Sequence, residues 1–166
     1  MRYMTVTWDQ LHRDGRLLAE RLMRLATERG APWAGIVAVT RGGLIPAAIV
    51  AREIGCRLIE SVSIAAYDEE DLGEPQVLKA PLAAGEGTDF LIIDDLVDTG
   101  TTARLVRRML PEAHFACLYA KPAGAGIADT YVLDVAQDTW ILFPWDTAPQ
   151  LIAPLIKQNQ GAEVLG

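Results

Sequence analysis

The stretch "DFLIIDDLVDTGTTARLVRRML", residues 89–110, decides how the rest of this chain is read. A continuous apolar run ends in two adjacent aspartates, Asp94 and Asp95. A third, Asp98, follows at the start of a Thr/Gly cluster, and beyond it the pattern becomes helical. An apolar run of this kind is the signature of a strand covered on both faces, as in a parallel sheet. Residues 98–102 then offer successive backbone N–H groups and several hydroxyls at a helix N-terminus, which is an anion site by geometry and by dipole. An ordinary N-cap would use the same residue types. It would not account for Asp94 and Asp95, because neighbouring carboxylates repel and lose hydration unless they hold a metal, hydroxyls or a base.

The flanking sequence supports a parallel sheet. "TVTWDQLHRDGRLLAERLMRLATERG" predicts a helix with Thr7 as cap, Gln10 as its reciprocal partner and Gly30 as its stop. Its Leu11, Leu18, Leu22 and Leu25 share one face. "GIVAV" predicts a buried strand ending in "TRGG", and "LIPAAIVAREIG" a helix closed by Gly55. Further strands are expected at "CRLIESVSI", "FLIID", "HFACLYA" and "TYVLDV", with a helix from about Thr99 to Leu110. Residues 67–88 are acidic, rich in Pro and Gly and without a clear period, which predicts a long loop or weak hairpin; residues 68–88 are read as a mobile lid. "DTWILFPWD" carries two tryptophans, and "PQLIAPLIK" is an apolar segment after it. Alternating strands and helices imply an α/β domain, a parallel sheet flanked by helices, spanning 1–166 without a linker. Ligands of such sheets bind beyond the carboxyl ends of the strands. "TRGG", "DDLVDTGTT" and "KPAG" should therefore open onto one edge.

Composition narrows the function. Of 166 residues 51% are hydrophobic, enough for a real core. A net charge of −7 disfavours a general nucleic-acid binder, which draws on surplus Lys and Arg. Cys56 and Cys117 both sit in apolar settings and read as reduced, structural thiols. His12 and His114 stand far apart, and no Cys/His set has zinc spacing. There is no signal-peptide pattern and no apolar run of transmembrane length. Neither G-x-x-x-x-G-K-[ST] nor a G-x-G-x-x-G after a strand occurs, which excludes the usual ATPases and dinucleotide enzymes.

"FLIIDDLVDTGTTA" resembles the phosphoribosyl-pyrophosphate signature of the type I phosphoribosyltransferases. "VTWDQL", "VAVTRGGLIPAAIVAREIG", "AYD", "YAKPAG" and "QDTWILFPWD" extend the resemblance to the bacterial xanthine–guanine group. It implies the type I phosphoribosyltransferase fold with a small C-terminal hood over about 136–156. The implied activity is transfer of a phosphoribosyl group to N9 of a 6-oxopurine (guanine, xanthine or hypoxanthine), with Mg²⁺ and release of pyrophosphate. By the same resemblance, Asp94 and Asp95 face the ribose hydroxyls, with Asp95 also beside the metal. Asp98, Thr99, Gly100, Thr101 and Thr102 cradle the 5′-phosphate, while Arg41, Gly42 and Gly43 hold the pyrophosphate. Asp98 also meets N7 of the base as the catalytic residue. Lys121 contacts the 6-oxo group, Trp140 stacks on the base, and Ile141 lies beside C2. Trp8 and Trp145 are read as packing residues, and His114 has no chemistry assigned.

The resemblance further implies a homotetramer or homodimer in the cytoplasm, sometimes peripheral to the inner membrane. The chain departs from the pattern in two places: Ala66 stands where the family has Ser, and no Lys or Arg occurs from Tyr67 to Leu78, Lys79 being the first. Two alternatives stay open: a non-catalytic sensor of phosphoribosyl pyrophosphate or nucleotide, and a transferase for another base.

Overall fold

The structure, a computed structural model, describes residues 1–65 and 75–147. Ala66, the Tyr67–Asp68 pair, the first part of the expected lid, the "PQLIAPLIK" segment and the end of the expected hood lie outside the described residues. The chain divides into two compact units, His12–Gln137 and a smaller one built from Met1–Leu11 with Asp138–Gly166.

In chain order the strands are β1 (Arg2–Thr5), β2 (Gly35–Thr40), β3 (Ile59–Ala65), β4 (Gln76–Lys79), β5 (Phe90–Val97), β6 (His114–Ala120), β7 (Thr130–Asp134) and β8 (Thr139–Leu142). The helices are α1 (Trp8–Arg29), α2 (Leu44–Ile54) and α3 (Thr101–Met109). The larger unit carries a six-stranded sheet in the order β4-β3-β2-β5-β6-β7. Every neighbouring pair in it is parallel except β3–β4.

β2 and the first five residues of β5 are buried without alternation, as expected of strands covered on both faces. On one face Val37, Val39, Ile92 and Phe115 pack with Val106 and Ala103 of α3. α2 packs on β2 and β5. Tyr119 on β6 donates its hydroxyl to Asp14 Oδ2 of α1 at 2.6 Å, so two buried polar groups satisfy each other.

The expected boundaries of α1 and α2 are found. The Gln10 N–H donates to Thr7 Oγ1 at 3.2 Å, and Gly30 and Gly55 end their helices with left-handed φ of 69° and 70°. Two boundaries differ. β5 does not stop at Asp94: it continues to Val97, because Asp94, Leu96 and Val97 stay in register with Cys117, Tyr119 and Ala120 of β6. α3 accordingly begins two residues later than the sequence suggests. In the 67–88 segment, the described residues include an antiparallel arm, β4, and a short 3-10 turn at Leu82–Ala84, which matches the weak-hairpin alternative.

β1 is absent from the sequence-based expectation. It pairs in parallel with β8 in the smaller unit, Tyr3 opposite Trp140. In that unit Trp145 stacks on Phe143 at 4.8 Å and meets Trp8 edge-on at 6.3 Å, so Trp8 and Trp145 are in aromatic contact, although both stay exposed. Trp140 on β8 is 56% exposed, whereas Ile141 is buried.

Candidate active site

The parallel register of β2, β5 and β6 brings their carboxyl ends to one edge of the larger unit, and three loops meet there. The first follows β2. The Gly43 N–H donates to Val39 O at 2.8 Å, which turns the chain sharply into α2, and Arg41 is exposed on this loop. The loop lies against the end of β5. A Cβ on Gly42 would stand 2.2 Å from Asp95 Oδ2, and one on Gly43 would stand 2.4 Å from Ile93 O. Only glycine permits backbone and carboxylate to approach this closely.

The second loop contains the acidic pair and the turn after it. Asp94 is buried, and burial holds its carboxyl well above the ordinary carboxylate range, with the neighbouring Asp95 charge raising it further. The Asp95 N–H donates to Asp94 Oδ1 at 2.9 Å, and the Leu96 N–H donates to Asp95 Oδ1 at 2.7 Å. Past Val97 the chain turns through Gly100, whose φ of 83° suits glycine and which precedes the first residue of α3. Among the described residues no side chain caps the N-terminus of α3, so neither Asp98 nor the threonines are consumed as an N-cap. The Thr99 and Thr101 hydroxyl oxygens lie 3.2 Å apart, and Arg104 Nη2 braces the turn by donating to Thr99 O at 3.0 Å. An uncapped N-terminus with flanking hydroxyls and the positive end of the helix dipole is suited to a phosphate.

The third loop follows β6. Its first residue, Lys121, donates its N–H to Val97 O at 2.9 Å, which carries the sheet ladder one step further. Gly124 backs the phosphate turn, since a Cβ there would stand 2.6 Å from Asp98 O. The Lys121 side chain is buried, with Nζ donating to Asp98 Oδ2 at 2.6 Å. A buried ammonium requires such a partner. The other carboxylate oxygen, Asp98 Oδ1, accepts from Gln137 Nε2 at 2.7 Å, and Gln137 Oε1 accepts from the Ala123 N–H at 3.0 Å.

Together the ends of β2 and β5 and the turn at 98–102 line a cleft of about 530 Å³, with Asp94, Asp95 and Asp98 in its wall. That volume falls in the range of small-molecule sites, roughly 300–1,000 Å³. Of the residues singled out in the sequence, Gly42, Gly43, Asp94, Asp95, residues 98–102 and Lys121 converge on this edge. Trp140 and Ile141 belong to the smaller unit. Lys79, the first cation after Tyr67, pairs with Glu60 and donates to Ser61 O at 2.9 Å on the sheet edge. Gln137 was missed, because one amide before a short strand gives no sequence signal of a tether to a residue 39 positions away.

The donor set for a metal is small. Among the described residues no group of three or more His, Cys, Asp or Glu side chains is gathered for an ion. Asp95 places a carboxylate in the wall of the cleft, which fits Mg²⁺, a cation held through one or two carboxylates together with substrate phosphates and water.

Comparison with known proteins agrees with this geometry. Residues 7–151 match the phosphoribosyl transferase domain. The chain is 62% identical to the xanthine-guanine phosphoribosyltransferase of Gluconobacter oxydans, over 95% of this chain and 92% of that protein. It is 55% identical to the protein of the same name from Nitratidesulfovibrio vulgaris, over 93% and 91%. Among solved structures, a purine phosphoribosyltransferase from Pyrococcus horikoshii superposes with a TM-score of 0.73 at 29% identity, covering 93% of this chain and all of that one. With the domain matched over most of its length and full-length relatives above half identity, the chain belongs to the phosphoribosyltransferase family.

Proposed function

We propose that this chain is a purine-salvage enzyme. It transfers the phosphoribosyl group of 5-phosphoribosyl 1-pyrophosphate to N9 of guanine, xanthine or hypoxanthine, giving the nucleoside 5′-monophosphate and pyrophosphate. The observation that carries this reading is the Lys121–Asp98 pair. An ammonium, which only donates, lies 2.6 Å from a carboxylate, which only accepts, beside a turn shaped for phosphate. The O6 and N7 atoms of a 6-oxopurine are adjacent on one edge of the base. Lys121 donates to O6 and Asp98 accepts the proton at N7, while the 5′-phosphate sits on the N–H groups of residues 99–102.

In the reaction N9 forms its bond to C1 of the ribose as the bond from C1 to pyrophosphate breaks, and the N7 proton passes to Asp98. Positive charge develops on the ribose ring, so catalysis rests on positioning and electrostatics rather than on a nucleophilic side chain. Asp94 and Asp95 hold the ribose hydroxyls. Arg41, with the glycine backbone at 42 and 43, holds the leaving pyrophosphate. Asp95 would hold Mg²⁺, which would neutralise charge on the pyrophosphate. Trp140 stacks on the base and Ile141 addresses its C2 edge. The family resemblance supports a homotetramer or homodimer in the cytoplasm. Among the described residues no helix is long and apolar enough to cross a membrane.

The test is turnover of guanine with phosphoribosyl pyrophosphate and Mg²⁺. Formation of GMP and pyrophosphate in equal amounts supports the transferase. Binding of phosphoribosyl pyrophosphate without turnover would instead support a sensor that kept the fold.

A further inference from the structure

We propose that Gln137 is a positioning residue that fixes the Asp98 carboxylate for its work at N7; this rests on the transferase reading above. Asp98 is already held before a base arrives. Among the described residues its two oxygens have one donor each: Lys121 Nζ on Oδ2 and Gln137 Nε2 on Oδ1. The two donors differ in what they must do next. When Lys121 turns part of its donor capacity to O6 of the base, its hold on Asp98 weakens at the moment the carboxylate must meet N7. Gln137 has no such second duty, and it keeps Oδ1 in place throughout.

The orientation of the Gln137 amide is determined by its other end. The Ala123 N–H is a donor and so needs the amide oxygen, at 3.0 Å; the nitrogen is left to face Asp98. A flipped amide would set N–H against N–H and oxygen against carboxylate. Gln137 thereby ties the loop after β6 to the phosphate turn after β5 through one side chain. Asp98 needs such a tie, because its side chain is 44% exposed and the turn it starts is not held by a side-chain cap. Asp98 can still receive the base, since each carboxylate oxygen accepts more than one hydrogen bond.

The experiment compares the wild-type chain with Q137A, Q137E, D98N and the double variant D98N/Q137A. It measures kcat with guanine, KM for phosphoribosyl pyrophosphate, and Tm. Gln137 is exposed, so all variants should fold, with Tm close to that of the wild type. Q137A should lower kcat about tenfold or more, with KM for phosphoribosyl pyrophosphate within about twofold, since misplacing a reacting group by an ångström costs on the order of 10²-fold. Q137E preserves shape and still accepts from Ala123, but it sets a second carboxylate against Asp98 and should be the slower of the two.

The double variant is the readout that a merely structural residue would not move. If Gln137 works through the Asp98 carboxylate, D98N/Q137A should be no slower than D98N alone. Wild-type kcat in both Q137A and Q137E, or a double variant whose losses multiply, would overturn the proposal while leaving the transferase reading intact. A wild-type chain that makes no GMP would overturn both.

Discussion

Gly42 separates the loop after β2 from the acidic pair by the width of a missing methyl group, and Gly42→Ala tests whether that closeness serves function or only packing. An added Cβ would stand 2.2 Å from Asp95 Oδ2, 2.5 Å from Cγ and 2.6 Å from Oδ1. Ordinary contact begins at about 3.4 Å, so the carboxylate must retreat by about 1.2 Å. It can do so, because it is the end of a side chain that is not fully buried; the hydrogen bond from the Leu96 N–H at 2.7 Å is among the interactions at risk. Losing one such bond costs about 1 kcal/mol, or roughly 2–4 °C in Tm for a chain of this size. The loss of activity should be much larger, about 10²-fold in kcat/KM for phosphoribosyl pyrophosphate, because the displaced group is the one proposed to hold the reacting ribose.

Gly43→Ala provides the contrast. Its Cβ would meet Ile93 O at 2.4 Å and Val39 O at 2.6 Å, the backbone of two adjacent strands that cannot swing away, so this variant should lose stability first. Steady-state kinetics and thermal melts of the two variants, side by side, make the comparison. A Gly42→Ala chain with wild-type kinetics would refute the reasoning, as would one that melts as early as Gly43→Ala.

Three further outcomes are expected. Asp98→Asn should lower kcat by roughly 10²-fold or more, the scale of general acid–base assistance; near-normal turnover with intact binding would remove Asp98 from the mechanism. Lys121→Ala should lower kcat/KM for guanine far more than for adenine, measured under saturating phosphoribosyl pyrophosphate; an equal loss for both bases would mean that Lys121 does not read C6. Burial holds His114 below its ordinary value of 6.5 against the opposing charge of Asp129, with Arg107 and Arg29 lowering it further, so it is more readily protonated in the unfolded chain than in the fold. Stability should therefore fall as pH drops below about 6.5 towards the lower folded value, and Tm against pH should be flatter there in His114→Gln. An unchanged slope would assign the acid sensitivity to other groups.

Much of this was legible because the relevant signals are local. The unbroken apolar runs at β2 and β5 imply strands covered on both faces. Gly30 and Gly55 mark helix ends through a conformation that other residues resist. The turn at 98–102 announces itself by composition. What was not legible depends on partners distant in sequence. β1 is four residues, mostly exposed, and becomes a strand only because β8 lies beside it. β5 extends through two aspartates because β6 supplies the ladder, a tertiary effect that overrides the poor strand propensity of Asp. Gln137 gains meaning only once the register of β5 and β6 has set Asp98 beside the loop that follows β6. Nor does the sequence reveal that Lys79 is already engaged by Glu60.

The most direct test of the central claim is the specificity of the wild-type chain across guanine, xanthine, hypoxanthine and adenine, measured as kcat/KM with saturating phosphoribosyl pyrophosphate and Mg²⁺. Facing a 6-amino group, the buried Lys121 ammonium would meet another donor and lose a partner, and sites that depend on a specific hydrogen bond discriminate by roughly 10⁴-fold. The account therefore predicts turnover of 6-oxopurines with adenine lower by about that factor. Adenine used as well as guanine would contradict it.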